Sequence, residues 1–231
     1  MSWLEEAKRR AAEEAVKHVR DGYVLGLGTG TTAQYAIREI GRRIREEGIR
    51  VLCVPTSYQA FFLAIQERIP ITTLDEHPRL DLAIDGADQI DESLNLIKGG
   101  GAALTREKIV GSVAKEYIIV ADETKLVETL GLNHPIPLEI LPFARAPVFE
   151  ELKKFCNTLK LREGVGKAGP VVSDNGNFIV DADCGFIKRP KELEERFKKI
   201  PGVIESGLFV GMADMVYVGK KDGSVEKLVK S

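Results

Sequence analysis

Histidine and cysteine are scarce in this 231-residue chain, and neither type is clustered. His18, His77 and His134 make no H-x-H or H-x-x-x-H pair, and Cys53, Cys156 and Cys184 make no C-x-x-C pair. A zinc knuckle and a histidine metal site are therefore not expected, and no metal is assigned. An odd number of scattered cysteines points to a reducing, cytoplasmic setting and away from a disulfide framework. No apolar run approaches the ~18 residues that span a bilayer. The opening residues, Met1-Ser-Trp-Leu-Glu-Glu-Ala-Lys-Arg-Arg, are charged where a signal peptide carries its apolar core. Neither sign of charge is in excess. A net charge of −2 gives no reason to expect a nucleic acid or an anionic membrane as partner, so a small anionic ligand needs a local cationic site.

What is present is an ordinary globular balance, 44% apolar and 29% charged, which excludes disorder. The length suits one large domain or two modest ones. Ser2 and Glu5 fit a capping box at the start of an amphipathic helix over 2–20, with Leu4, Ala7, Ala11, Ala15 and Val19 at helical spacing. A short apolar strand over 23–28 follows, then a helix over 32–47 and a strand over 50–54. The pattern continues with a helix over 58–67, a strand over 80–84, a helix over 102–115 and a strand over 117–120. Such alternation predicts a mostly parallel sheet with helices on both faces, whose ligands bind beyond the carboxyl ends of the strands.

The character changes near residue 130. Pro135, Pro137, Pro142 and Pro147 punctuate the chain, and 136–141 reads as an edge strand. A helix over 148–157, a strand over 158–162, a hairpin over 170–181 turning at Asn175-Gly176, a helix over 190–199 and a strand over 203–210 follow. The order β-α-β-β-α-β predicts a smaller ferredoxin-like α+β domain over 131–204, beside a main α/β domain formed by 1–130 and 205–231.

Three constellations carry chemistry. Gly26-Leu-Gly28-Thr29-Gly30-Thr31-Thr32 lies between a strand and a helix, where glycines admit a close ligand and helix N–H groups face an anion. It lacks the Walker lysine. It matches G-x-G-x-x-A, but the next strand ends in Pro55-Thr56-Ser57 rather than the acid that a dinucleotide requires, so no such cofactor is expected. A phosphate site fits better; the alternative is a turn of structural glycines. The second constellation, Asp85-Gly86-Ala87-Asp88, reads as an acid–base pair, as magnesium ligands together with Asp91 and Glu92, or as a solvated acidic turn. The third is Lys98-Gly99-Gly100-Gly101, followed by Glu107. Consecutive glycines are costly to order and can present N–H groups to an oxyanion, with Lys98 adding charge. Glu107 is either a base or the ion-pair partner of Arg106 or Lys108.

Gly28–Thr32, Asp85–Asp88 and the run Lys98-Gly-Gly-Gly-Ala-Ala-Leu-Thr-Arg-Glu-Lys108 resemble the signatures of ribose-5-phosphate isomerase, type A. The likeness extends to Val120–Lys125, Pro170–Asn177 and Ile200–Val203, in the family's order. It implies a metal-free, cofactor-free aldose–ketose isomerase of the pentose phosphate pathway. Such an enzyme interconverts ribose 5-phosphate and ribulose 5-phosphate through a cis-enediolate. By position, Glu107 resembles the base and Asp85 the group that assists ring opening. Asp88 and Lys98 match residues holding the sugar hydroxyls, with Gly86 and Ala87 beside them. Gly99, Gly100 and Gly101 would steady the enediolate oxygen, Thr29, Gly30, Thr31 and Thr32 would cradle the phosphate, and Lys125 matches a substrate-binding lysine. A homo-oligomer, dimer or tetramer, is implied. Gln89 departs from the family's usual Glu and Thr31 from its frequent Ser.

Coenzyme A transferases and sugar-phosphate-sensing regulators share the implied fold, so two rivals follow. In the first, Glu107 is an acyl-accepting nucleophile. The second, a sensor, requires a DNA-binding module for which the two expected domains leave no room.

Overall fold

Helix and strand alternate through the first half of the computed structural model, which describes residues 2–230. In chain order the elements are α1 (Trp3–Val16), β1 (Val24–Leu27), α2 (Ala33–Glu47), β2 (Leu52–Pro55), α3 (Tyr58–Gln66) and β3 (Leu82–Gly86). Then come β4 (Gln89–Ile90), β5 (Leu96–Ile97), α4 (Leu104–Val113), β6 (Tyr117–Asp122), β7 (Ile136–Ile140) and α5 (Arg145–Leu152). The chain ends with β8 (Thr158–Leu161), β9 (Phe178–Asp183), α6 (Pro190–Lys198), β10 (Val203–Ser206), β11 (Leu208–Phe209), β12 (Met215–Gly219) and β13 (Val225–Val229). Among the described residues no helix is long and apolar enough to cross a membrane.

The elements fall into two units. The first comprises the chain through Ala87, Arg106–Lys125, and the residues from Gly211 onward; the second comprises Asp88–Thr105 and Leu126–Val210. The stretch 88–105, expected with the main domain, falls in the second unit.

In the first unit one sheet runs β13-β12-β6-β3-β1-β2, parallel throughout except for β13. This is the expected α/β architecture. The sequence pattern did not reveal the hairpin β12–β13, which completes one edge. Side chains alternate across the sheet. Leu25, Leu27, Leu82, Ile84, Ile118 and Val120 join the core formed with α1, α2 and α3. The opposite set, including Gly26 and Ala83, meets Val110 of α4, so helices cover both faces. The Ser2–Glu5 capping box forms as expected, although α1 stops at Val16. Its buried face is mostly alanine, which lets its backbone approach closely: a Cβ on Gly219 would stand 2.0 Å from the Ala7 carbonyl oxygen.

In the second unit β7-α5-β8-β9-α6-β10 forms the ferredoxin-like motif, with antiparallel strand order β10-β7-β9-β8. Strand β7 is therefore not an edge, contrary to the expectation drawn from its proline. Pro137 is tolerated because it faces the end of β10, where only its carbonyl is needed, accepting from Gly207 N–H at 2.7 Å. The 170–181 hairpin keeps its turn, with Gly176 at φ 81°, but residues 170–173 form only isolated bridges. A small sheet, β11-β5-β4, completes this unit.

Cys156 and Cys184 form a disulfide, with S–S 2.11 Å, which corrects the expectation of no disulfide and removes the support that the scattered cysteines gave to a reducing setting. The β8–β9 register pairs Thr158 with Asp183, which brings Cys184, one residue beyond that pair, within reach of Cys156, two residues before Thr158. A spacing of 28 residues carries no sign of this in sequence. Cys53 is free and buried, and burial pushes its thiol well above the usual range.

Candidate active site

Because α4 leads into the parallel strand β6, its first turn lies toward the carboxyl ends of the sheet strands. The sheet face beneath α4 carries Gly28, Asp85 and Tyr117. Register pairs Ala83 with Tyr117, so the Tyr117 ring and Asp85 share that face two residues apart. Asp85 is 1% exposed. Its Oδ1 accepts the N–H groups of Thr29 (3.1 Å) and Gly86 (2.7 Å), and its Oδ2 accepts the Tyr117 hydroxyl at 3.2 Å. Gly28 makes room for this carboxylate, since a Cβ there would stand 2.2 Å from Oδ1. Gly111 of α4 similarly admits the Tyr117 ring, which would lie 2.9 Å from an added Cβ.

Glu107 lies one helical turn before Gly111 on α4 and is buried. Its charge reaches the same tyrosine. Burial pushes the Tyr117 phenol well above its ordinary pKa, and the charges of Asp85 and Glu107, with the Asp85 hydrogen bond, push it further. One carboxylate thus accepts the neutral hydroxyl, and the charge of a second acts on it. Of the neighbours first weighed as ion-pair partners for Glu107, Arg106 places its guanidinium over the Tyr58 ring, 5.5 Å from the centroid.

The glycine–threonine loop divides by role. The Thr29 hydroxyl turns inward and bonds Thr56 Oγ1 and Ser57 Oγ, both at 2.7 Å, which ties β1 to the end of β2. Thr56 continues inward to the Leu27 carbonyl, while Ser57 caps α3 through Ala60 N–H. Gly30 takes a φ of 109°, which an L side chain resists, and gives its N–H to Gln59 Oε1. Thr31 is exposed, and Lys8 Nζ of α1 donates to its hydroxyl at 3.2 Å. The Thr32 side chain makes no capping bond to α2. Thr31, Thr32 and Lys8 are thus the groups suited to an anion. Lys8 lay outside the sequence motif because only folding brings α1 to this loop. Lys125 is half-buried in the 3-10 turn after β6, a turn fastened by Asp122 Oδ1 on Thr124 N–H at 3.0 Å.

The second unit holds the remaining motif residues. Lys98 is 2% exposed and sets its ammonium 5.4 Å from the Phe209 ring centroid, a placement that favours a cation. Gly99 has φ 100°. Gly100 donates its N–H to Asp88 Oδ2 at 2.8 Å, so in this conformation that N–H is committed to Asp88. A Cβ on Gly100 would fall 2.8 Å from Asp88 Oδ1, which explains a glycine at this position. Arg162 Nη1 donates to the carbonyls of Gly99 and Gly100, both at 3.0 Å, while its Nε pairs with Asp181 Oδ2 at 2.9 Å. Sequence reasoning missed Arg162, whose partners are distant in the chain.

Asp91 proves to be a turn residue. Its Oδ1 accepts Ser93 N–H (2.9 Å) and Asn95 N–H (2.8 Å) between β4 and β5, which removes the magnesium reading for it. Gln89 is likewise spent on backbone, donating to Leu132 O at 2.7 Å and accepting from Gly131 N–H at 2.8 Å. An ionised Glu could not make the first bond. Among the described residues no three His, Cys, Asp or Glu side chains gather as a metal-holding group.

Comparison with known proteins agrees with this geometry. The family model of ribose 5-phosphate isomerase A (phosphoriboisomerase A) matches residues 52–223. The chain is 52% identical to ribose-5-phosphate isomerase A of Methanothermobacter thermautotrophicus over 216 residues, covering 94% of this chain and 95% of the relative. A solved D-ribose-5-phosphate isomerase in complex with phospho-erythronic acid superposes with TM-score 0.96 and 48% identity, covering 99% of this chain and 100% of the other. The structure of ribose 5-phosphate isomerase A from Methanocaldococcus jannaschii gives TM-score 0.94 and 48% identity, covering 98% and 99%.

Proposed function

Because the chain belongs to the ribose-5-phosphate isomerase A family and is an isomerase, we propose that it interconverts D-ribose 5-phosphate and D-ribulose 5-phosphate through a cis-enediolate. The observation that carries this reading is the pair of buried carboxylates, Asp85, which accepts the Tyr117 hydroxyl, and Glu107, whose charge acts on the same phenol.

The reaction needs a base for a weakly acidic carbon-bound proton and donors for the oxyanion that forms. Asp85 assists ring opening by taking the proton of the anomeric hydroxyl as the C1–O4 bond breaks and giving a proton to O4, which leaves it ionised again. Glu107 then removes the proton on C2, and the C–H electrons form the C1–C2 double bond while charge gathers on O1. The O2 proton passes to O1, and Glu107 returns its proton to C1, leaving the ketone at C2. Glu107 ends as it began.

Thr31, Thr32 and the Gly30 turn cradle the phosphate, with Lys8 supplying positive charge. Thr29 shapes the loop and holds Asp85. By the family pattern, Asp88 and Lys98 take the sugar hydroxyls, with Gly86 and Ala87 beside them, and Lys125 adds a second substrate-binding cation. The Gly99–Gly101 loop steadies the developing oxyanion, with Gly100 N–H acting mainly through Asp88. No metal or organic cofactor enters this scheme. A cytoplasmic enzyme of the pentose phosphate pathway, working as a homodimer or homotetramer, completes the reading. The exposed Tyr58, Phe62 and Ile65 along α3 support self-association.

The test is conversion of ribose 5-phosphate to ribulose 5-phosphate, followed by carbon NMR in excess EDTA. Full activity is expected. No conversion would overturn the assignment, and a loss restored by magnesium would overturn the metal-free scheme.

A further inference from the structure

The second unit buries a carboxyl that the proposed reaction does not use. Glu139 lies within β7 and is 0% exposed. Its Oε2 accepts the Thr105 hydroxyl at 2.5 Å. Its Oε1 accepts Ser173 Oγ at 2.7 Å, Asn177 Nδ2 at 2.8 Å and Asn175 Nδ2 at 3.1 Å. A buried carboxyl is costly unless its oxygens are met by donors, and here side chains from two separate segments meet them. The segment 173–177 belongs to the Pro170–Asn177 stretch of the sequence, to which the proposed reaction gives no task. Its turn closes on itself, with Ser173 N–H donating to Asn177 O at 2.8 Å, and directs three side chains at Glu139.

The other end of this cluster is the base helix. Thr105 is the second residue of α4, and Glu107 follows two positions later. The chain enters α4 from a loop in which Gly99 and Ala102 are both left-handed, with φ of 100° and 60°. No regular element leads into the helix, so the register of its first turn needs an outside anchor. A helix is stiff over two residues, advancing ~1.5 Å for each, so holding Thr105 holds the backbone of Glu107.

We propose that Glu139 is a positioning residue for the base: anchored by Ser173, Asn175 and Asn177, it locks the first turn of α4 through Thr105 and so sets the reach of Glu107 to the substrate carbons. This rests on the isomerase reading with Glu107 as base. Displacement of a catalytic group by ~1 Å can cost about 100-fold in rate, so one directional bond here has leverage over turnover.

The experiment compares wild type with Thr105→Val, which keeps the shape and removes the hydroxyl, and Thr105→Ser, which keeps the hydroxyl. Thr105→Ala replaces the valine variant if that does not fold. Turnover is measured well below each melting temperature. The expected result is a kcat about tenfold or more lower in Thr105→Val with KM within about twofold, and recovery to near wild type in Thr105→Ser. Unchanged kcat in Thr105→Val, an equally slow Thr105→Ser, or a loss carried wholly by KM would overturn the inference. A wild type without isomerase activity would overturn the underlying reading, a result separable from the first three because they require an active wild type.

Discussion

The Tyr117 hydroxyl donates to Asp85 Oδ2 at 3.2 Å, with both residues 1% exposed, and joins the sheet to the chemistry above it. It is a donor that does not ionise in the working range. Burial, reinforced by the Asp85 and Glu107 charges, raises the phenol's pKa well above its ordinary value. The hydroxyl therefore keeps its proton and remains a donor to Asp85.

A pH dependence follows. The folded state holds the Tyr117 proton more tightly than the unfolded chain does. Its contribution to stability is complete below the unfolded pKa of about 10 and declines as pH rises through the folded value, by up to about 1.4 kcal/mol per pH unit. Denaturant titrations between pH 9 and about 11 should show this decline in wild type and a shallower one in Tyr117→Phe. At neutral pH that variant should be about 1 kcal/mol less stable, from the lost buried hydrogen bond. Equal slopes in both proteins would remove the tyrosine from this role.

Two glycine substitutions separate packing from chemistry. In Gly28→Ala the new methyl would stand 2.2 Å from Asp85 Oδ1 and 2.5 Å from its Cα, so backbone must move. A stability loss of about 2–3 kcal/mol is expected, together with loss of turnover. In Gly100→Ala the obstacle is the end of the Asp88 side chain, at 2.8 Å, which can swing away. Melting should change little, while kcat/KM falls about tenfold as Asp88 shifts. Calorimetry and steady-state kinetics on both variants check the contrast.

Lys8 reaches Thr31 from α1 and tests the phosphate cradle. Lys8→Met should raise KM for ribose 5-phosphate about fivefold, the worth of a half-exposed ionic contact, with kcat within about twofold. The effect should shrink at high salt, because exposed charges are screened. A kcat effect with unchanged KM would move Lys8 out of the phosphate site.

Much of this architecture is legible in the sequence because it is local. The Ser2–Glu5 cap, the apolar strands of the parallel sheet and the Asn175-Gly176 turn each depend on residues a few positions apart. Local pattern also places Asp85 at a strand end and Glu107 near a helix start, but leaves their roles open until the family resemblance is considered. What escaped is what only folding creates. Tyr117 reads as one more apolar residue at the start of a strand until register sets it beside Asp85. Pro137 suggests an edge strand until β10 ends opposite it. Cys156 and Cys184 meet only because β8 pairs with β9 in one register. Thr29 looks like a ligand residue but turns inward, because the hydroxyls of Thr56 and Ser57 await it at the end of β2.

The most direct measurement is hydrogen exchange at carbon during turnover of ribose 5-phosphate in heavy water, read by NMR for wild type and Glu107→Gln. Replacing the base should lower turnover by about 100- to 10,000-fold while leaving the phosphate contacts intact. Deuterium entering beside the carbonyl with wild type, and not with Glu107→Gln, is the predicted result. Exchange that persists in Glu107→Gln would contradict Glu107 as the base, and the absence of exchange in both proteins would contradict the enediolate itself.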